Sequence, residues 1–445
     1  MIERIFKLKE NRTCVRTELI AGITTFLTMA YIIFVNPAIL SVNFNGTPTG
    51  LDFNAVMLAT CLSAAIATFI MGAYANYPIA QAPGMGENFF FVSVIGAISA
   101  LGVANAWQVA LGIVFIAGLL FLIISLFNVR ETLIKVISPS LKNGIAVGIG
   151  IFIAFLGLQN ANILISNPGT LVQLNNNIIN VETGIFAFGL VVISILLIRK
   201  IKGAIFIGII LSAVLSLVLG KIKFTGIVSI PPSIVPTFFK MDIIGVFKLI
   251  PIHEALSFII ILLFMDIFDT TGTIVGVGEQ AGFIKDNKLP RANKALVSDA
   301  IGTITGACLG TSTVTSYIES ASGVQAGGRT GLTAVFVSFF FVLAIFFSPL
   351  VKMIGMFKPI TAPALVIVGA MMMKNVVKID WDDYTESIPA FLTIVGIPLT
   401  CSISNGLAFG FIAYPICKIF SGKVKDASWL VYLLGVIFFL RYLLL

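Results

Sequence analysis

Charged residues are what this 445-residue sequence lacks most: Asp, Glu, Lys and Arg make up 11% of it, against 58% apolar residues. Soluble domains carry about a quarter charged residues, so no water-soluble core accommodates this composition. With a mean hydropathy of +1.06 the chain reads as a polytopic membrane protein. Histidine is down to His253, in PIHEALS at an expected interface, where it reads as structural ahead of a proton relay. The five cysteines (Cys14, Cys61, Cys308, Cys401, Cys417) are scattered and show no CxxC spacing, which leaves packing as their role and gives no sign of a disulfide frame or a metal cage. A signal peptide is missing as well. MIERIFKLKENRTCVR mixes five basic with two acidic residues, has no apolar core, and reads as a cytoplasmic N-terminus. The net charge of +8 sits in short tracts beside apolar spans, the pattern of cytoplasmic loops and not of a nucleic-acid surface. No cofactor, metal or nucleic acid is expected.

Long apolar runs, by contrast, are abundant. Crossing about 30 Å of hydrocarbon takes roughly 20 apolar residues in a helix. Runs bounded by polar or Gly/Pro breaks lie at about 19–40, 53–73, 84–101, 105–127, 140–158, 184–198 and 204–219. After a stretch holding Pro231, Pro232 and Pro236, a second set lies at about 252–278, 294–310, 317–327, 331–350, 360–374, 387–401 and 404–420. The fold class is therefore all-α and polytopic, with about 14 transmembrane segments. The last segment, SWLVYLLGVIFFLRYLLL, carries Arg441 and is barely long enough to span, so an interfacial helix and an additional span both fit it. Lys and Arg cluster at the N-terminus, at Arg130 to Lys142, at Arg199, Lys200 and Lys202, and at Lys285 to Lys294. An even span count with both termini in the cytoplasm puts all of these inside, and the asparagine-rich segment 160–180 outside. Lys221, Lys223, Lys240 and Lys248 go against this scheme, although KMDIIGVFKLI reads as an amphipathic helix lying on the surface.

The two sets of seven contain an internal similarity. AIATFIMGAY (65–74) lies over AIGTITGACL (300–309) with Ala, Ile and Thr in common. The segments after these two are alike in kind: Tyr77-Pro78-Ile79-Ala80-Gln81-Ala82-Pro83 and Thr311-Ser312-Thr313-Val314-Thr315-Ser316-Tyr317 are too polar, β-branched or proline-bound for an apolar helix. Each reads as a short extended piece before a short helix. An odd number of spans between the copies makes the halves inverted, as in many secondary transporters. Irregular backbone at membrane depth survives only when buried in protein or lining a cavity, so both pieces are expected near the midplane with two half-helix N-termini facing one site.

A carboxylate at mid-membrane costs on the order of 2.5 to 3.5 kcal/mol, so each one needs a partner or a purpose. Five stand out: Glu87, Asp266, Asp269, Asp299 and Glu319. Asp266 and Asp269, three apart in LLFMDIFDTTGT, are expected on one helix face about a turn apart, with Thr270, Thr271 and Thr273 supplying hydroxyls. Glu319 comes after the second extended piece, and Asn88 after the first in QAPGMGENFFF, where the inverted repeat sets them face to face. A polar solute with N–H donors beside carbonyl or ring-nitrogen acceptors suits such a site, because a carboxylate accepts from the former while Asn88 and backbone N–H groups serve the latter. Phe89, Phe90 and Phe91 offer a flat face, with ordinary packing expected for at least two of them. Asp299, beside Ser298, reads first as a hydrogen-bonded support. Glycines 144, 148 and 150 are expected on one helix face that permits close approach, either for packing or for one bundle to slide on another.

QAPGMGENFFF, LFMDIFDTTGT, LPRANKALVSDAIGT and GTSTVTSYIESASGVQAGGRTGLTA together resemble the AzgA-like adenine/guanine/hypoxanthine permeases of the nucleobase-ascorbate transporter superfamily. The similarity runs from VRTELIAGITTFLTMAYIIFVNPAIL through IDWDDYTESIPAFLTI to the last Gly-rich span. The resemblance implies a seven-plus-seven inverted repeat: a cytoplasmic N-terminus (1–18), a core domain (19–127 and 251–350), a gate domain (131–219 and 351–421), a connection with the amphipathic helix (220–250) and the C-terminal apolar segment (422–445). It implies a cell-membrane carrier, not an enzyme, importing hypoxanthine, guanine or adenine by proton symport, with a homodimer expected by analogy. Asn88, Asp266 and Glu319 look like the family's substrate-binding positions, with Phe89 and Asp269 beside them, and the proton falls to Asp266, Asp269, Glu319 or Asp299. The family often has GLNAFF where this chain has GENFFF, so Glu87 is a departure that adds a negative charge. Xanthine, uracil or another small organic solute is the alternative cargo; an anion carrier and an intramembrane aspartyl protease are the more distant rivals, the protease disfavoured because Asp266 and Asp269 share one helix.

Overall fold

The structure is a computed structural model and describes residues 2–44, 46–126, 138–167, 169–283 and 289–443. Four basic residues on which the expected orientation leans, Arg130, Lys135, Lys285 and Lys288, lie outside the described residues. Most of the chain is helical. The first half holds α1 (Ile2–Phe6), α2 (Val15–Met29), α3 (Ile32–Leu40), α4 (Phe53–Ile70), strand β1 (Gln81–Pro83), α5 (Met85–Ala100), α6 (Ala106–Leu126), α7 (Pro139–Asn160), the hairpin β2 (Leu164–Asn167) and β3 (Leu171–Leu174), α8 (Val181–Ile198) and α9 (Ala204–Val218). The second half holds α10 (Ile243–Lys248), α11 (Ile252–Gln280), α12 (Ala292–Leu309), strand β4 (Val314–Ser316), α13 (Ser320–Gln325), α14 (Gly331–Ala344), α15 (Ser348–Gly355), α16 (Lys358–Met372), α17 (Tyr384–Leu399), α18 (Ile403–Phe420) and α19 (Trp429–Leu443). Among the described residues, nine helices are long and apolar enough to cross a membrane.

Polar residues at the edges of the apolar runs start these helices. The side chains of Asp52, Ser138 and Asn180 accept the amide hydrogens of Ala55, Leu141 and Thr183, which otherwise have no intrahelical partner. Three runs differ from their expected form. The run 19–40 breaks at Ala30 and Tyr31 into α2 and α3, the run 331–350 breaks at the 3-10 turn Ile345–Phe347 into α14 and α15, and the run 317–327 holds only the six-residue α13, too short to span. Hydropathy averages over the first two breaks, because the interrupting residues are themselves apolar or small. The surface helix expected around 240–250 is α10, in which Gly245 and Val246 are buried while Ile244 and Phe247 are exposed.

Helices from the two ends of the sequence pack against each other. Helix α12 lies on α4 and α6, and α14 on α2 and α4; α7 lies on α16 and α17. The three glycines of α7 do not share one face. Gly144 and Gly148 approach the backbone of Ala390 and Ile394 on α17, whereas Gly150 approaches the Gly369 carbonyl on α16. Six residues are about 600° of helix, so Gly150 turns toward the second neighbour, and both contacts serve close packing.

The start of α14 ties the halves together. Glu18 of α2 is fully buried and accepts from the amides of Arg329 (2.9 Å), Thr330 (3.3 Å) and Thr333 (3.1 Å) and from the Thr333 hydroxyl (2.6 Å). Asn76, with φ of 53° just past a π-helical turn, accepts the amide of Gly331 at 2.7 Å. Glycine is required at 331, because a methyl there would overlap the Gly72 carbonyl. A carboxylate at a helix N-terminus satisfies both the orphan donors and the dipole. Glu18→Ala is expected to lower the stability of the purified protein by about 1 to 3 kcal/mol, and Glu18→Gln by less, in thermal melts of the protein in detergent.

Candidate functional site

The two extended pieces pair with each other. Strand β1 runs antiparallel to β4 in the register Gln81↔Ser316, Ala82↔Thr315 and Pro83↔Val314, and all six residues are buried. Buried backbone must find partners inside the protein, and the pairing extends past both strand ends, with the Gly84 amide on the Thr313 carbonyl (3.0 Å) and the Tyr317 amide on the Ala80 carbonyl (2.9 Å). Threonine hydroxyls bracket the outer edges. Thr68 Oγ1 donates to the Gln81 carbonyl (3.0 Å) and accepts its amide (2.8 Å); Thr303 Oγ1 likewise accepts the Val314 amide (3.2 Å) and lies 3.1 Å from its carbonyl. These threonines occupy matching places in AIATFIMGAY and AIGTITGACL.

The acids gather around this crossing. Asp299 Oδ1 accepts from Gln81 Nε2 (2.6 Å) and Ser316 Oγ (3.0 Å), and Asp266 Oδ2 accepts from Thr303 Oγ1 (2.8 Å). Asp269 lies within electrostatic range of Glu87, Asp299 and Glu319. Among the described residues, none of these five carboxylates forms an ion pair.

Asp266 and Asp269 separate more than expected. Asp266 is 2% exposed and faces Thr303, whereas Asp269 is exposed and meets the Thr315 hydroxyl only at 3.4 Å. A three-residue step leaves side chains about 60° apart, enough at this boundary to bury one and open the other. Of the three threonines after them, Thr270 bonds Thr315 (2.8 Å) and accepts the Ser316 amide (3.2 Å), while Thr271 and Thr273 are buried.

Glu319, immediately before α13, is half-buried and accepts a hydrogen bond from Tyr31 (2.9 Å) at the break between α2 and α3. Asn88 is fully buried in the first turn of α5 and accepts from the Ser312 hydroxyl. Glu87 is buried and folds back over Gly84, where a side chain at 84 would collide with its carboxylate. Phe89 packs on Phe44 and Phe152; Phe90 packs on Phe258, and Phe91 is fully buried. Nothing in the sequence pattern marks Gln81, Ser312, Thr303 or Tyr31 as partners of the polar residues at this site. The available signal for Thr303 is its alignment with Thr68, and an isolated Tyr in an apolar run carries none.

Several buried polar atoms here find no partner among the described residues: Asn88 Nδ2, Gln81 Oε1, Asp266 Oδ1, Asp299 Oδ2 and the Thr271 and Thr313 hydroxyls. Among them are a donor, Asn88 Nδ2, and an acceptor, Gln81 Oε1. Native interiors pair nearly all such groups, so their concentration here stands out.

Apolar helices long enough to span a bilayer, enclosing two crossed strands and a cluster of acids, define a multi-pass membrane protein with a polar site in its interior. Residues 16–409 match the sequence model of the Permease family, and the chain belongs to that family; its work is transport and not the catalysis of a covalent step. It is 43% identical to an adenine permease of Escherichia coli, over 99% of this chain and 96% of that one. It is 44% identical to a guanine/hypoxanthine permease of Bacillus subtilis, over the full length of both. Among solved structures, the transmembrane domain of a cyanobacterial bicarbonate transporter superposes with a TM-score of 0.67 at 17% identity, covering 89% of this chain and 97% of that one, a likeness of fold. The protease reading is set aside by this membership and not by helix sharing, since Asp266 and Asp299 come from different helices.

Thr303 connects an acid to a strand, which gives a direct check. Thr303→Val keeps the shape but removes both functions of the hydroxyl, and is expected to reduce stability by about 1 to 3 kcal/mol, whereas Thr303→Ser retains most of it, as read by melting in detergent.

Proposed function

We propose that this chain imports purine bases across the cell membrane by proton symport. The observation that carries the reading is an unmatched buried donor, Asn88 Nδ2, on the same buried crossing as an acid pair, in a chain similar end to end to permeases named for adenine and for guanine/hypoxanthine. Asn88 serves the acceptors of the base, Asp266 and Glu319 take its N–H groups, and Asp269 and Phe89 contribute from beside them. The proton rides on one of Asp266, Asp269, Glu319 and Asp299.

The architecture we propose is a fourteen-span, seven-plus-seven inverted repeat, with a core of 19–127 and 251–350 and a gate of 131–219 and 351–421. The antiparallel pairing of β1 with β4 and the equivalent tasks of Thr68 and Thr303 support it. Core and gate then move relative to each other to expose the crossing on alternate sides. Both termini lie in the cytoplasm in this reading. Relatives of near-equal identity are named for different purines, so preference among them is a matter of few side chains, and Glu87 beside Gly84 is the one to vary first.

In cells lacking their own purine carriers, expression is expected to confer uptake of radiolabelled hypoxanthine, guanine or adenine that collapses when an uncoupler is added. Uptake indifferent to the uncoupler refutes symport; absence of uptake for every base refutes the purine assignment. Asp266→Ala and Glu319→Ala are each expected to abolish uptake at undiminished membrane abundance, checked on blots of the same membranes.

A further inference from the structure

At the end of the molecule that carries the β2–β3 hairpin there is a cavity of about 350 Å³ lined from both sequence halves. One side of it is aromatic. Phe44 and Phe89 both line it and stand with ring centroids 6.4 Å apart and planes 25° apart. Phe152 of α7 closes against the pair, edge-on, at 5.4 Å from Phe44 and 6.3 Å from Phe89. The other side is polar: the amides of Asn43, Gln159, Asn160 and Asn162 line the same space, with Lys358 the one charged side chain among them.

These rings stand next to the buried site. Asn88 and Phe89 are consecutive in the first turn of α5, so their side chains leave the helix about 100° apart. Asn88 turns to Ser312, before β4, and Phe89 turns to the cavity, where it is only 3% exposed. The three rings come from three separate elements: the turn after α3, α5 beside the crossed strands, and α7, which packs on α16 and α17. Separating α7 from α5 therefore parts the rings. The turn that presents Asn43 and Phe44 is itself closed, by the Asn43 amide on the Thr47 carbonyl (2.7 Å) and the Gly46 amide on the Asn43 carbonyl (2.9 Å).

The lining suits one chemistry. A planar heteroaromatic base stacks on an aromatic face and presents donors and acceptors at its edge, which primary amides match in either sense. Asn43 Oδ1 is a buried acceptor without a partner among the described residues, and the side chains of Gln159 and Asn160 make no hydrogen bond to those residues. The volume lies at the small end of ordinary small-molecule pockets.

We infer that this cavity is a vestibule site that holds a purine base on Phe44 against the amides of Asn43, Gln159 and Asn160, and that Phe44, Phe89 and Phe152 form the closed gate between it and the crossed strands. The inference rests on the proposed purine transport. It adds a binding step before the acids are reached, and it assigns specificity for flat, hydrogen-bonding solutes to the vestibule as well as to the interior.

The test combines transport with labelling in the full chain. The double variant Gln159→Ala with Asn160→Ala is expected to raise KM for base uptake about fivefold or more, the worth of one or two neutral hydrogen bonds, at unchanged maximal rate per transporter. Separately, Gln159→Cys is expected to react with a membrane-impermeant maleimide added outside, and millimolar hypoxanthine is expected to slow that reaction. The slowing must persist when Asp266→Ala is added, which isolates the vestibule from binding at the interior site. If the unsubstituted protein takes up no base, the purine reading falls and this inference with it. If it transports normally but KM stays unchanged, or if hypoxanthine fails to protect Gln159→Cys in the Asp266→Ala background, the vestibule site alone is overturned.

Discussion

Six residues of extended backbone, buried among apolar helices, have to satisfy their hydrogen bonds without water, and most of their surroundings answer that demand. Strands β1 and β4 meet part of it by pairing with each other. The hydroxyls of Thr68, Thr270 and Thr303 meet the rest. Each of these threonines comes from a helix held against the crossing, so the strands fix where α4, α11 and α12 lie as much as the helices enclose the strands.

The acids depend on the same arrangement. Thr303 serves the Val314 backbone and Asp266 together, and Ser316 places its hydroxyl on Asp299 from within β4. A polar network in a low-dielectric interior is stable only when nearly every member is paired. Here several of the exceptions concentrate beside Asn88 and Gln81, next to the strands. That concentration supports the proposed solute site over incidental polar packing.

The helices and the two extended pieces were legible in the sequence because both rest on local chemistry: apolar runs of spanning length, then proline and β-branched residues that break them. The five acids were legible for the same reason, as charges where charge is costly. Their partners were not. Tyr31 lies 288 residues from Glu319, and Gln81 lies 218 from Asp299, and no local pattern announces a contact across such distances. The division of Asp266 from Asp269 turned on about 60° of helix rotation at the edge of a buried surface, finer than a three-residue spacing specifies. The six-residue α13 was legible as the short helix after the second extended piece, although its run 317–327 also passes for a span by composition.

The pairing of β1 with β4 also orders events in time. Gln81 meets the hydroxyl of a residue 235 positions further along the chain. At roughly 5 to 20 residues per second, synthesis takes on the order of tens of seconds to deliver that partner. Until then the amides and carbonyls of β1 have only Thr68 and water to bind, so the first half of this protein cannot close before the second has been made. Its biogenesis calls for a sheltered, hydrated setting in which a half-built molecule can wait.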